Sequence, residues 1–487
     1  MNTLPSADPI EHVVLLMLEN RSFDQTLGSL SSVYPNDLDG IPQTPPPYFN
    51  KDASGTVYEQ LPTGELQMAL DPDHDNGPVL EQIAGGNQGF IKDFIRKYPR
   101  STPAQRRQIM GYYEFPSLPA LHTLGDNFVV CDRWFSSLPG PTWPNRFFAL
   151  SGTSRGQVKM PDGIWHPDID GFFNQTQDTI FDRLNEAGKE WTIYHYDMAC
   201  SWVLVHQRRL ENLARYKTMG FFFDDVANGV LPPFTFLEPK YNGQDQNDDH
   251  PPHNIMKGEK LIADVYNALR TSPQWEKTLL VVLFDEHGGF YDHVTPPKAV
   301  PPDEFVGQYA FNQFGVRVPA ILVSPWLARG VAHNEFDHTS LLKYLIEKWG
   351  LKSLTKRVDA AASIADAMHF LPAPRRDTVR SIRVRTSDLY APMPELEAFD
   401  KSPHHVAFGE FGDYLARRRA DAGGTVPPFP KPQAGLRQWM GRTLMGWGRA
   451  LSTAQEDSAA RTVALQREVG AAQAIDEQLP PRATAPK

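Results

Sequence analysis

Two acidic clusters stand directly behind two apolar runs. Glu19-Asn20-Arg21-Ser22-Phe23-Asp24 follows the run His12 to Leu18, and Asp285-Glu286-His287-Gly288-Gly289 follows the run Thr278 to Phe284. Carboxylates gathered at one sheet edge repel each other unless a cation or a proton lies between them. The economical reading is one divalent metal ion held by Glu19, Asn20, Asp285 and Glu286. All four donors are oxygens, which suits a hard ion such as Mg, Ca or Mn and still admits Zn. The competing reading makes the same acids helix caps or solvated loop residues.

A third cluster reads Pro139-Gly140-Pro141-Thr142-Trp143-Pro144-Asn145-Arg146 and runs into Phe147-Phe148-Ala149-Leu150. Pro144 suits a first helical position, with Thr142 near the N-cap. Free N–H groups at a helix start favour an oxyanion or phosphate, and would also favour a Thr142 alkoxide. Asn145 and Arg146 add donors of phosphate-matching type. The bland alternative leaves Thr142 as a cap only. Two histidines lie in acidic, Pro-stiffened loops, His74 within residues 71–75 and His250 within residues 247–252, where it follows Asp249. A neighbouring carboxylate orients such a ring or raises its pKa. The alternative is a solvated loop histidine. His287, His293 and His338 are weaker candidates, and Asp337 or Thr339 reads as the cap of a helix that starts there.

One motif is rejected. Gly152-Thr153-Ser154-Arg155-Gly156 matches the G-x-S-x-G elbow of serine lipases. That elbow needs a strand before it and a helix after it. Here a helix precedes Ser154, and the following stretch contains Pro161 and Gly163.

The elements that must carry these clusters are short β-branched and apolar runs: residues 12–18, 127–131, 191–196, 278–284 and 318–324. Helical patterns alternate with them at residues 180–189, 257–270 and 339–349. This alternation predicts an α/β fold with a mostly parallel central sheet and helices on both faces. Pro- and Gly-rich stretches at 34–64 and 296–315 read as long loop insertions over the C-terminal ends of the strands. Ligands of open α/β sheets bind beyond those ends. A catalytic domain is placed at 1–422, a Pro/Gly linker at 423–435 and an amphipathic helix with a tail at 436–487. Within the last, residues 436–451 read as a helix docked on its own domain or lying on a membrane surface.

Composition narrows the function. The 487 residues carry a net charge of −10, which argues against nucleic acid as a partner. Hydrophobic residues make up 41% and support a large core. Two cysteines, Cys131 and Cys200, permit one disulfide and exclude a Cys-rich zinc site. Met1 to Glu11 lacks a basic region and a twin-Arg signal, so the sequence reads as cytoplasmic unless export takes another route.

The stretches ENRSFDQTLG, GPTWPNRFFALSGTS, NDDHPP and FDEHGGFYDHV occur in this order. Together they resemble the bacterial phosphoesterase family of non-haemolytic-type phospholipases C and the related acid phosphatase, within the alkaline phosphatase-like superfamily. The resemblance covers roughly residues 10–350. It implies an alkaline phosphatase-like fold, with Glu19 and Asn20 as first metal ligands, Asp285 and Glu286 as the second pair, and Thr142 as a metal-bound nucleophile. It implies that His74, Asp249 and His250 contact the phosphoryl group. FDHTSLL, at 336–342, also looks like a family signature, without an assigned role. Two departures stand out: the missing twin-Arg signal, and a C-terminal part that looks helical or irregular where phospholipase members often carry β-domains. The expected function is metal-assisted phosphoester hydrolysis through a phosphothreonine intermediate, with a phospholipid or small phosphoester as substrate. Phospholipase C-type diester cleavage is the first reading. A monoesterase of acid phosphatase type and a phosphate- or lipid-binding module without turnover are the alternatives. Oligomeric state is not legible.

Overall fold

The computed structural model describes residues 8–390 except 69, 162–171, 242–244, 306 and 308, together with 406, 407, 410, 411 and 414. The linker placed at 423–435 and the helix placed at 436–451 lie outside the described residues.

Ten strands are described: β1 (His12–Leu18), β2 (Phe49–Lys51), β3 (Val57–Glu59), β4 (Val129–Cys131), β5 (Trp191–His195), β6 (Tyr216–Thr218), β7 (Phe234–Leu237), β8 (Thr278–Phe284), β9 (Ala320–Val323) and β10 (Gly330–Ala332). Eight of them form one sheet in the order β10-β4-β9-β8-β1-β7-β5-β6. β1 and β8 lie side by side and parallel, in register from His12↔Thr278 to Leu18↔Phe284. Every residue of β8, and all of β1 after His12, is buried. Continuous apolar runs are what a strand covered on both faces requires. The register has a direct consequence: Glu19 and Asp285, the next residue on each strand, leave the sheet at the same level.

The sheet is mostly parallel, as expected, with one exception. β9 runs antiparallel to both β8 and β4. Among the described residues between Phe284 and Ala320 there is no helix to carry the chain back across the sheet. The Pro-rich loop instead turns round at the end where β8 finishes, and β9 enters from there. Two strands expected at 127–131 and 318–324 are shorter than predicted, and Asn127 belongs to the helix Leu121–Asn127. The insertion at 34–64 is not all loop, because β2 and β3 pair antiparallel inside it. Tyr58 of β3 is buried in a second apolar cluster with Phe90, Phe94, Ile109 and Met110.

Helices Ile255–Thr271 and His338–Trp349 fill the predicted spans, the latter capped by Asp337. The helix Thr142–Ser151 is buried along its whole length and ends at Gly152 in a left-handed conformation (φ 74°). Its N-cap is Pro141, so Thr142 is the first helical residue and Pro144 the third, two places further in than expected. Ser154 follows that helix, and its hydroxyl donates to the Gln157 carbonyl (2.6 Å), which removes it as a lipase-type nucleophile. Both cysteines are free and buried. No helix among the described residues is long and apolar enough to cross a membrane.

A buried ion network ties the two acid-bearing loops together. Arg317 donates from Nη2 to Asp24 (2.9 Å) and from Nε to Asp292 (2.8 Å). His293 contacts Asp24 through Nδ1 (2.9 Å) and Asp39 through Nε2 (2.9 Å), and its ring stacks on Tyr48. Burial lowers the His293 pKa, but Asp24 and Asp39 outweigh it and lift the ring to about 9. A histidine raised above its ordinary 6.5 stabilises the fold fully below that pH, and the stabilisation is lost as pH rises through about 9. The unfolding free energy should therefore fall by roughly 3 kcal/mol between pH 6 and 10. His293→Gln should remove most of that slope in urea titrations at the two pH values. Equal slopes in both proteins would refute the assignment.

Candidate active site

Glu19, Asn20, Asp285 and Glu286 are all buried at the ends of β1 and β8. Asn20 has a left-handed backbone (φ 59°), which asparagine tolerates. Its N–H donates to Asp285 Oδ1 (3.3 Å), and the Thr142 hydroxyl donates to its Oδ1 at 3.5 Å. Gly288 (φ +65°) lets the second loop pass close over this turn, since a Cβ there would lie 2.2 Å from the Asn20 carbonyl oxygen. Glu286 Oε2 accepts from Gly288 N (2.7 Å), while its Oε1 is buried without a hydrogen-bond partner among the described residues. Asn20, Thr142 and Asp285 are thus joined in one buried oxygen-rich centre, with Glu19 and Glu286 buried next to it in the chain.

Arg146 sits beneath this centre, fully buried. It meets Glu19 Oε1 through Nη2 (3.0 Å) and Asp285 Oδ2 through Nε (2.9 Å), and it donates to Tyr241 Oη (2.7 Å). Glu238 lies 3.7 Å from Nη1. Burial pushes Asp285 up to about 7 against the pull of Arg146, and pushes Glu19 well above the usual carboxylate range. One guanidinium does not offset the charge of these acids once they are out of water. The donor chemistry, the orphaned Glu286 oxygen and this uncompensated charge all fit a hard divalent cation.

His74 adjoins the centre, with Nδ1 3.5 Å from Asn20 Nδ2. Its Nδ1 also contacts the Pro72 carbonyl (3.0 Å), and His250 Nδ1 contacts the Pro251 carbonyl. A carbonyl only accepts, so each ring carries its proton on Nδ1 and keeps Nε2 for chemistry. The two rings meet edge-on at 5.5 Å, and with Asp71 they bring three ligand-type atoms within 4.8 Å of one another. Among the described residues the other such groups are Asp24–Asp292–His293, already neutralised by Arg317, and Asp178–Asp182–His206. Glu19, Asp285 and Glu286 are not among them, so no choice of one oxygen from each brings all three within 4.8 Å of one another. A separate cleft of about 520 Å³, lined in part by Ser151, Thr153, Asp303 and Lys356, opens at the other end of the Thr142 helix. That is roughly 14 Å along the axis from Thr142.

Residues 10–352 match the sequence model of the Phosphoesterase family. The chain belongs to the phosphoesterase family. Non-specific phospholipase C1 of Arabidopsis thaliana is 34% identical to this phosphoesterase over 394 residues, covering 76% of this chain and 73% of that protein. Phospholipase C B of Mycobacterium tuberculosis (strain ATCC 25618 / H37Rv) is 31% identical over 409 residues, covering 70% of this chain and 74% of the other. Among solved structures, the lipoteichoic acid synthase LtaP from Listeria monocytogenes aligns with a TM-score of 0.34 at 8% identity, over 74% of this chain and 79% of that one.

Three expected site residues of this phosphoesterase do something other than predicted. Asn145 is no phosphate donor: Nδ2 donates to the carbonyls of Gly140 (2.8 Å), Pro141 and Leu138, while Oδ1 accepts from Leu138 N. It sets the turn that delivers Thr142. Arg146 is committed to carboxylates, so its role is to hold Glu19 and Asp285 rather than to face a phosphoryl oxygen. Asp249 has a left-handed backbone (φ 75°) and its carboxylate lies against Gly258, where an added Cβ would come within 2.1 Å of Oδ1. Burial there pushes its pKa well up. It packs under the helix Ile255–Thr271 instead of contacting a phosphoryl group. Asp248 faces the histidines instead: its carboxylate pairs with His253 Nδ1 and accepts from His250 N (3.1 Å). Asp71, Asp248, Tyr241 and Glu238 escaped the sequence reading. Asp71 and Asp248 lie within the quoted His74 and His250 motifs, so the signal was present. Tyr241 and Glu238 carry none. His287 turns to Gln82, with Nε2 2.8 Å from Oε1.

Proposed function

We propose that this phosphoesterase is a hydrolase of phospholipase C type, which cleaves phospholipids between the glycerol oxygen and phosphorus with Thr142 as nucleophile. The observation that carries the reading is the Thr142 hydroxyl at the first residue of a buried helix, directed at Asn20 beside the acidic pair Asp285 and Glu286. The relatives named phospholipase C support a phospholipid as substrate. A divalent cation held by Glu19, Asn20, Thr142, Asp285 and Glu286 would polarise a phosphoryl oxygen and ease deprotonation of the threonine. Thr142 Oγ1 attacks phosphorus in line, the bond to the diacylglycerol oxygen breaks, and a phosphothreonine carrying the head group remains. The proton released by Thr142 Oγ1 passes through Nε2 of His74 or His250, left free by the Nδ1–H tautomer, to the leaving oxygen. The same imidazole then accepts a proton from the water that cleaves the phosphothreonine and returns it to Thr142 Oγ1. Arg146 fixes Glu19 and Asp285 and opposes the protonation that their burial favours.

The test pairs p-nitrophenylphosphorylcholine with p-nitrophenyl phosphate, before and after chelation. Hydrolysis of the choline diester that stops on chelation and returns with divalent metal is the expected result. Turnover of the monoester alone would replace the diester reading with a phosphatase. Metal binding with neither activity would leave a binding module.

A further inference from the structure

The signature Phe336-Asp337-His338-Thr339-Ser340 takes no part in the chemistry above, yet it connects both halves of the site. His338 is buried and its Nε2 lies 2.6 Å from the Asp285 carbonyl oxygen. That carbonyl only accepts, so Nε2 carries the proton. Nδ1 accepts the indole N–H of Trp134 at 3.3 Å. The ring is thus neutral with one fixed tautomer, and burial holds its pKa down at about 4. Trp134 opens the segment that leads through Ser137 and Pro141 to Thr142. Ser137 is held by the same signature: its hydroxyl donates to Asp337 Oδ2 (2.8 Å) and accepts from His338 N (3.3 Å). Arg357 donates to the Ser137 carbonyl (2.8 Å) and faces Asp337 at 3.5 Å. Asn145 then fixes the turn from Leu138 to Pro141. Arg146, one residue on, returns to the Asp285 carboxylate. These hydrogen bonds, with the chain from Trp134 to Arg146 between them, close a ring that runs from Asp285 through His338 and Trp134 past Ser137 to the Thr142 helix and back.

We propose that His338 is a positioning residue, which sets the spacing between the turn before Thr142 and the backbone of Asp285. This rests on the reading of Asp285 as a cation ligand and Thr142 as nucleophile. The imidazole touches neither substrate nor cation. It governs how closely the nucleophile and the ligand pair approach each other. Groups of this kind behind metal ligands change metal affinity or activity by about 10- to 100-fold when removed.

The test titrates manganese alone into the purified full chain by calorimetry, and measures kcat and KM on p-nitrophenylphosphorylcholine at saturating manganese. His338→Phe should weaken manganese binding or lower kcat by about 10- to 100-fold, with KM within about twofold. His338→Gln keeps a side-chain N–H for the Asp285 carbonyl and should recover most of the loss. Trp134→Phe frees the ring tautomer and should produce a smaller loss of the same kind. A folded His338→Phe protein with unchanged manganese affinity and kcat overturns the inference. So does a His338→Gln protein as defective as His338→Phe. Should His338→Phe not fold, Trp134→Phe decides, and unchanged affinity and kcat there overturn it equally. Glu286→Gln separates the two failures. If it loses manganese while His338→Phe keeps both affinity and kcat, only the inference falls. If Glu286→Gln binds manganese as the wild type does, the cation reading falls and the inference with it.

Discussion

Thr142→Ala is expected to reduce turnover of a phosphodiester by about 10⁴-fold or more, the scale seen when a covalent nucleophile is removed. The substitution takes away one hydroxyl at the first residue of a helix that is buried throughout. Pro141 supplies the N-cap, and the Thr142 side chain does not cap the helix, so the fold should lose little. Among the described residues its hydroxyl makes one hydrogen-bond contact, the 3.5 Å approach to Asn20, too long to contribute much stability. Loss of activity with an unchanged melting curve is therefore the outcome that marks chemistry. Thr142→Ser returns a hydroxyl on a less restricted side chain and should keep part of the rate. Mass spectrometry of acid-quenched enzyme should find the head-group phosphate on residue 142 in wild type and on no residue in Thr142→Ala. Near-normal turnover by Thr142→Ala would end the covalent mechanism.

The largest effect on stability is expected at Arg146. Its guanidinium is fully buried and serves Glu19 and Asp285 at 3.0 and 2.9 Å, with Glu238 at 3.7 Å. Removing one partner from a buried ion pair costs about 3–5 kcal/mol, because the remaining charge has no water to turn to. Here several carboxylates share one cation, so Arg146→Met should reach the upper part of that range. Arg146→Lys keeps the charge but not the fork, and cannot bond Glu19, Asp285 and Tyr241 together, so it should still destabilise. Excess divalent metal should recover part of the loss in both variants, since an ion that binds only the folded chain stabilises it. Thermal melts with and without metal measure this. An Arg146→Met protein that melts with the wild type would show that the carboxylates are neutral as the chain stands.

Much of this architecture is legible in the chain because burial on both faces writes itself as unbroken apolar residues. β1 and β8 were found at their true ends for that reason, and the acids that follow them marked the site. β7 was missed because Pro232 and Pro233 precede it and look like loop, although proline is tolerated just before a strand starts. β6 and β10 have three residues each, too few for a periodicity. The direction of β9 follows from a connection without a crossover helix among its described residues, and no local pattern encodes it. Asp248 and Asp249 show the same limit at residue scale. The two are chemically identical and adjacent, and a single left-handed dihedral at Asp249 decides which one faces the histidines. Arg146 misled in another way. An arginine near a helix start looks like an anion donor, and only the packed structure reveals that carboxylates of its own chain have taken it.

The in-register pairing of β1 with β8 separates two properties that an enzyme could be asked to change. Glu19 and Asp285 extend the ends of neighbouring rungs of one hydrogen-bonded ladder, whereas the β2–β3 hairpin and the Pro-rich return between β8 and β9 are long excursions away from it. The proposed reacting centre is carried by two central, buried strands of the sheet, whereas the hairpin and the return loop are insertions outside that ladder. Exchange of those excursions between relatives is thus a route to new substrate preference that leaves the acids in place. Insertion of even one residue into β1 or β8 would put Glu19 and Asp285 out of step and disable every substrate at once.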